Sequence, residues 1–143
     1  MKQNILIADD DPVFRDVMAT FYREYDFNVS TANDAMQACM QALHAPHPAL
    51  IVLDIRMPAG SGMAVLRRLR MSNKTKNIPI IAVSADASPT LPEEARKAGA
   101  TEFVLKPVDL EKMRSLAFRL LGLEEMNPIA PNLVPAPVEL RVR

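Results

Sequence analysis

Apolar and polar positions alternate between two periods along the first 121 residues. "NILIA" (4–8), "LIVLD" (50–54) and "IPIIAVSA" (78–85) are short, nearly continuous apolar runs, the pattern of strands buried on both faces. "FNVST" (27–31) alternates like a strand with one wetter face, and "EFVLK" (102–106) makes a fifth strand. Between them the spacing turns helical. Val13, Phe14, Val17, Met18, Phe21, Tyr22 and Tyr25 recur at helical intervals behind Asp11–Pro12, an N-cap followed by proline at the first helical position. Asn33 or Asp34 caps a second helix carrying Met36, Cys39, Met40 and Leu43 along one side. Ser61 caps a third, with Met63, Leu66 and Leu69 inward and Arg67, Arg68 and Arg70 mostly outward. Ser88–Pro89 opens a weaker helix that Gly99 closes. Asp109 caps the last, with Val108 stapled onto Met113 and Gly122 ending it.

Strands that alternate with helices predict a parallel α/β sheet with right-handed crossovers, here (βα)5. The run 27–31 is the most amphipathic strand and belongs at an edge. That favours a flavodoxin-like, doubly wound sheet of order 2-1-3-4-5 over a Rossmann order. Residues 1–121 form one domain. Residues 122–143, with prolines at 128, 131, 135 and 137, read as an extended tail or linker whose last six residues, "VELRVR", alternate like a strand.

Composition narrows the function. Formal net charge is zero, so no basic footprint for nucleic acid covers the chain. No apolar run is long enough to span a membrane. Cys39 is the only cysteine, which excludes an intramolecular disulfide and a multi-cysteine zinc site. A cytoplasmic setting is expected, with Cys39 a small apolar helix residue.

The chemistry lies at the carboxyl ends of the strands, where open α/β sheets hold ligands. Asp9 and Asp10 follow the first strand, Asp54 the third, Ser84 the fourth and Lys106 the fifth. Two carboxylates about 4 Å apart repel by roughly 4 kcal/mol at an effective dielectric near 20, a cost that a divalent cation removes. An all-oxygen set suits Mg²⁺, with Mn²⁺ as an alternative. A lysine adds a point charge for a phosphate and a serine a donor. Such a rim suits phosphoryl transfer, and a carboxylate can itself be the nucleophile. Asp54, alone at the central strand's end, is the candidate nucleophile, and Asp9 and Asp10 are the metal pair. Asp11 reads as a helix cap. Arg56 and Asp86 each lie two residues beyond a site residue, where opposite charges could pair and restrict water, tuning phosphoryl lifetime.

"ADD" (8–10), "LDIRMPAGSG" (53–62), "SA" (84–85) and "KP" (106–107), in this order and spacing, resemble the receiver domain of bacterial two-component response regulators over about residues 3–121. The resemblance implies a phosphorylation-activated switch, catalysing only its own phosphorylation and dephosphorylation. Asp54 would accept phosphate from a sensor histidine kinase or phosphotransfer protein. Asp9, Asp10, Asp54 and the Arg56 backbone carbonyl would hold Mg²⁺, and Ser84 and Lys106 would contact the phosphoryl group. Lys106–Pro107 would be cis. Ser84 and Phe103 would form the switch, and the face at about 88–120 would be the output or homodimer surface. The tail would lead to an effector domain or a partner, with no direct nucleic-acid binding by this chain. The alternative is a non-phosphorylated pseudo-receiver acting as a docking module, against which the full Asp/Asp/Asp/Ser/Lys set argues. A phosphatase with an aspartyl nucleophile is disfavoured because Arg56 stands where its second acid is needed. A mononucleotide site is disfavoured because no glycine-rich loop follows the first strand.

Overall fold

A computed structural model describes residues 2–57 and 61–124. The tail from 125 onward, including "VELRVR", and Pro58 of the loop after the third strand lie outside the described residues. Five strands, β1 (Asn4–Ala8), β2 (Asn28–Ala32), β3 (Leu50–Asp54), β4 (Ile80–Ser84) and β5 (Glu102–Leu105), pair in parallel in the order β2-β1-β3-β4-β5. The helices are α1 (Pro12–Arg23), α2 (Ala35–Leu43), α3 (Gly62–Met71), α4 (Leu91–Ala98) and α5 (Leu110–Leu120). The predicted doubly wound fold and strand order are those observed.

Burial explains the arrangement. Every residue of β3 and β4 is buried, as continuous apolar runs require of central parallel strands. β2, at the edge, leaves Asn28 and Ser30 exposed. The two sheet faces carry separate cores. Leu6, Ile51, Leu53, Ile80 and Ala82 meet α2, α3 and α4 through Ala38, Leu66, Leu69 and Ala95. Ile5, Ile7, Val52, Ile81 and Val83 meet α1 and α5 through Met18, Tyr22, Met113 and Phe118. Each large aliphatic side chain so buried contributes about 2 kcal/mol of transfer free energy.

Local chemistry sets the helix ends. The side chains of Asp11, Asp34, Ser61 and Asp109 each accept a backbone N–H in the first turn of the helix that follows. Asp34, not Asn33, is therefore the α2 cap. Val108 packs on the same core cluster as Met113. α4 starts later than Ser88–Pro89 suggested. Ser88 instead closes a turn, its carbonyl accepting the Leu91 N–H, and Pro92 occupies the first turn of α4. Gly99 ends α4 with a φ of 119°, a backbone conformation that a side chain would strain. His44 and His47 place ring nitrogens against the Met40 and Ala42 carbonyls at the end of α2, away from the carboxyl-end rim. Cys39 is half-buried against the α2–α4 core, and that burial raises its thiol pKa.

Two side chains finish the β2 edge. Its outward carbonyls at Val29 and Thr31 accept hydrogen bonds from Arg23 Nη2 (3.2 Å) and Gln41 Nε2 (2.7 Å). At the opposite end of the molecule from the rim, Arg70 gathers loops. Its guanidinium donates to the carbonyls of Gly99 (2.8 Å), Ile78 (2.7 Å), Lys76 (3.1 Å) and Thr75 (3.3 Å).

Candidate functional site

Strand register assembles the rim. Ala8 pairs with Leu53, so Asp9 and Asp54 leave neighbouring strands side by side. Asp54 pairs with Val83 and Ser84 with Leu105, which brings Ser84 and Lys106 to the same edge. The residues predicted from sequence therefore lie at one end of the sheet because each follows, or ends, a strand that finishes in register with its neighbour.

Carboxylate oxygens of Asp9, Asp10 and Asp54 lie within 4.8 Å of one another. Asp9 is fully buried, Asp54 nearly so, and Asp10 faces solvent. Lys106 reaches in from β5 with Nζ 2.6 Å from Asp9 Oδ2 and 3.4 Å from Asp54 Oδ2. Burial pushes the Asp9 carboxyl up to about 6, against the hydrogen bonds from Lys106 and the Asp11 N–H. Burial also pulls on Lys106 in the neutral direction, but the hydrogen bonds and charges of Asp9 and Asp54 outweigh it and hold the ammonium above its ordinary pKa.

The loops fix their own side chains through one repeated device. Asp9 Oδ1 accepts the Asp11 N–H (2.9 Å), Asp54 Oδ1 the Arg56 N–H (2.8 Å), and Ser84 Oγ the Asp86 N–H (3.0 Å). Asp86 Oδ1 in turn accepts the Ser88 N–H (2.9 Å). Each is a two-residue side-chain turn, so the rim groups are oriented by the backbone that carries them. Arg56 Nε and Asp86 Oδ2 are 3.2 Å apart and about half exposed, bringing the β3 and β4 loops together at the mouth. Gly62, at the start of α3, lies so close behind Asp54 that a Cβ there would run into the Asp54 carbonyl and the Ile55 Cα. Phe103 is half-buried against the core on the α4 side, and Ser84 is fully buried. The Lys106–Pro107 peptide is cis, as is Ala45–Pro46.

Two site residues were not singled out from the sequence. The Phe14 ring lies under the Lys106 ammonium, 4.3 Å from centroid to Nζ. Arg15 Nη1 donates to the Asp9 carbonyl (2.8 Å). Phe14 fits the apolar period of α1, which hides its second task, and Arg15 falls on the polar face that the same period predicts, so neither carries a local signal of its place at the rim.

Residues 5–118 match the family model of the response regulator receiver domain. The chain belongs to that family. Among curated relatives, the receiver is 33% identical over 122 residues to the regulatory protein AtoC of Escherichia coli, spanning 85% of this chain but 26% of AtoC. It is 30% identical over 118 residues to the two-component response regulator ORR11 of rice, spanning 82% of this chain and 80% of ORR11. Among solved structures, the receiver domain of the Pseudomonas aeruginosa sensor histidine kinase PA1611, with a magnesium ion coordinated in its active-site cleft, superposes with a TM-score of 0.78 at 27% identity, covering 85% of this chain and 99% of that one. Chemotaxis protein CheY4 of Vibrio cholerae gives a TM-score of 0.77 at 26% identity, over 84% and 99% of the two chains. Receiver domains bind Mg²⁺ at an acidic pocket, and the cluster of Asp9, Asp10 and Asp54 forms such a pocket here. Among the described residues, no helix is long and apolar enough to cross a membrane.

Proposed function

We propose that the receiver is a working phosphoacceptor switch rather than a docking module that has lost its chemistry. The observation that supports this reading is the convergence of Asp9, Asp10, Asp54 and Lys106 at one rim. With Asp9, Asp10 and Asp54 ionised and Lys106 protonated, three negative charges meet one positive charge, a balance of two negatives. Hard oxygen donors with that charge fit Mg²⁺, and Mn²⁺ by the same chemistry. Asp9, Asp10, Asp54 and the Arg56 carbonyl would hold the ion, which when bound supplies charge neutralisation at the phosphoryl oxygens.

The chain's own groups perform the transfer. A carboxylate oxygen of Asp54 attacks the phosphorus of a phosphohistidine on a sensor kinase or phosphotransfer protein. An O–P bond forms as the P–N bond breaks, and the imidazole departs with its electron pair, becoming neutral on protonation. The side-chain turn from Arg56 holds Asp54 in place before substrate arrives, so little ordering is left for the reaction. Lys106 then moves its charge to the transferred group. Ser84 donates its hydroxyl to another phosphoryl oxygen, and Phe103 fills the space that Ser84 vacates. That shift reshapes the surface at about 88–120, the output face and the candidate face for a homodimer. In dephosphorylation water attacks the phosphorus of the acyl phosphate, a new O–P bond forms as the bond to Asp54 breaks, inorganic phosphate leaves and the carboxylate is regenerated; the Arg56–Asp86 bridge across the mouth limits the water's approach. Residues 1–121 are the phosphoacceptor unit. The tail from 122 connects it to an effector domain or a partner, in a cytoplasmic two-component pathway.

The test is intact-protein mass after incubation with Mg²⁺ and acetyl phosphate. One Mg²⁺-dependent phosphoryl adduct, absent in Asp54→Asn, is expected. No adduct on a folded, Mg²⁺-binding protein would overturn the reading in favour of a docking module. The lifetime assignment has its own test: Arg56→Gln with Asp86→Asn should change the rate of adduct loss, and an unchanged rate removes it.

A further inference from the structure

The outer faces of α2 and α3 take no part in the rim or in the 88–120 surface. On α2, Met36, Cys39, Met40 and Leu43 fall at i, i+3, i+4 and i+7, one continuous stripe. Gln41 marks the other flank of the helix, because it reaches the Thr31 carbonyl at the sheet edge. The stripe therefore faces α3. Its outer members stand clear of the core, with Met36 73% and Met40 56% exposed. On α3, Ala64, Arg67, Arg68 and Met71 turn outward, and Met71 is 85% exposed. Between the two helices runs a groove of about 520 Å³ lined by Leu43, Ala64, Arg67, Arg68, Met71 and Ser72.

The charge of this surface has one sign. α2 has no charged residue, and the charged residues of α3 are all arginines. Arg70 is committed to backbone carbonyls on the far flank. Arg67 and Arg68 make neither a hydrogen bond nor a salt bridge among the described residues. Arg68 leans toward α2, where its charge works against the burial that raises the Cys39 thiol. Arg56 and Arg119, by contrast, have carboxylate partners, Asp86 and Glu102, and Arg67 and Arg68 differ from the likewise unpaired Arg96 in lining a groove together.

Three exposed methionines, Met71 in the groove lining and Met36 and Met40 beside it on α2, make an adaptable apolar surface, because unbranched thioether chains re-pack around whatever enters. Two guanidiniums with no carboxylate partner among the described residues suit an occupant that brings carboxylates. A groove between neighbouring helices accepts a third helix, with apolar side chains along one stripe and acids beside it. We propose that the α2–α3 face is a docking groove for an acidic amphipathic helix of a partner protein. Its apolar stripe covers Met36, Met40, Leu43 and Met71, and its carboxylates pair with Arg67 and Arg68. The groove is distinct from the phosphoacceptor rim, so the proposal stands or falls without reference to phosphorylation.

The test uses the full chain, ¹⁵N-labelled and without phosphodonor. The probe is a synthetic helical peptide of about 18 residues with Leu and Met at i, i+3, i+4 and i+7 and Glu on both flanks. Saturable amide shifts confined to 35–43 and 62–72 are expected. Arg67→Glu with Arg68→Glu should weaken binding about tenfold or more, and a peptide with Lys in place of Glu should bind that variant and not the wild type. The charge-swapped pair also shows that the variant is folded. Met36→Gln with Met40→Gln should weaken the original peptide with its charge pairs intact. Absence of shifts on α2–α3, or equal binding of the Lys peptide to the wild type, overturns the proposal. So does sedimentation with anionic phosphatidylglycerol vesicles through the same arginines while the peptide fails, which would make the face a membrane contact. A concentration-dependent dimer abolished by the arginine substitutions, again without peptide binding, would make the occupant a second copy of this chain and likewise overturn it.

Discussion

Asp9 has no solvent access at all, and the one charged hydrogen-bond partner of its carboxylate among the described residues is the Lys106 ammonium 2.6 Å away, carried by a strand end 97 residues further along the chain. Burial makes the carboxylate reluctant to ionise, and Lys106 only partly offsets this, which leaves the acid near pKa 6. A folded-state pKa above the unfolded value stabilises the fold at low pH, and that contribution disappears as pH rises through the folded pKa. In chelator and without Mg²⁺, the wild type should therefore lose on the order of 2 kcal/mol from this group between about pH 4 and pH 6.5. Asp9→Asn should remove that slope, read as the wild-type minus variant difference in urea unfolding across this range. A pH-independent difference would contradict the burial account.

Removing the cation tests the same pair from the other side. Lys106→Met leaves Asp9 and Asp54 facing each other without their shared ammonium. Stability at pH 7.5 should fall by about 3 kcal/mol, the usual cost of stripping one partner from a buried pair. At pH 5 the loss should shrink, because Asp9 can then take a proton. Equal losses at both pH values would show that Lys106 acts by packing alone.

Asp54→Asn removes one of the crowded carboxylates. The metal-free protein should melt roughly 3–5 °C higher, about 1 kcal/mol for a domain of this size, and Mg²⁺ should stabilise it less. The rise is smaller than three unshielded carboxylates would give, since Lys106 already bridges Asp9 and Asp54. A lowered melting temperature in chelator would count against electrostatic crowding.

The Phe14 ring supports the Lys106 ammonium 4.3 Å above it, an interaction of about 1 kcal/mol at a partly exposed site. Phe14→Leu keeps the apolar face of α1 and removes the aromatic one. Phosphorylation by acetyl phosphate should slow about threefold to fivefold, with Phe14→Tyr close to the wild type. Equal rates for the leucine and tyrosine variants would reduce Phe14 to a packing residue.

Gly62→Ala places a methyl against the backbone of Asp54 and Ile55. Backbone cannot rotate aside as a flexible side chain can, so the start of α3 must move. The expected cost is about 2–3 kcal/mol of stability, with weaker Mg²⁺ binding because Asp54 is displaced. Thermal melts with and without Mg²⁺ check both parts.

The fold was legible in the chain because parallel sheets are written in burial. β3 and β4 are apolar throughout and β2 alternates, which puts β2 at an edge and favours the observed order over a Rossmann one. The rim followed from topology, since Asp9, Asp54, Ser84 and Lys106 end or follow strands that finish in register. What escaped was lateral. Ser88–Pro89 resembles a helix start, yet the chain uses it as a turn before α4, because proline and serine suit both roles. Phe14 counts as one more apolar residue in a periodic helix, and only the position of Lys106, brought from the other end of the domain, gives its ring a second partner. Arg70 likewise reads as a surface arginine until four carbonyls from two loops surround it.

The two side chains on the margin of β2 bear on how this sheet could be lengthened by another strand. Fibre growth requires a sheet that can be extended at both sides, one template for each new arrival. Arg23 and Gln41 occupy the outward acceptors of Val29 and Thr31, so a strand approaching there must displace both side chains before it can pair fully. Association through the remaining side alone ends once two molecules have met. With those two acceptors taken, the β2 margin is the harder of the two sides at which to extend this sheet.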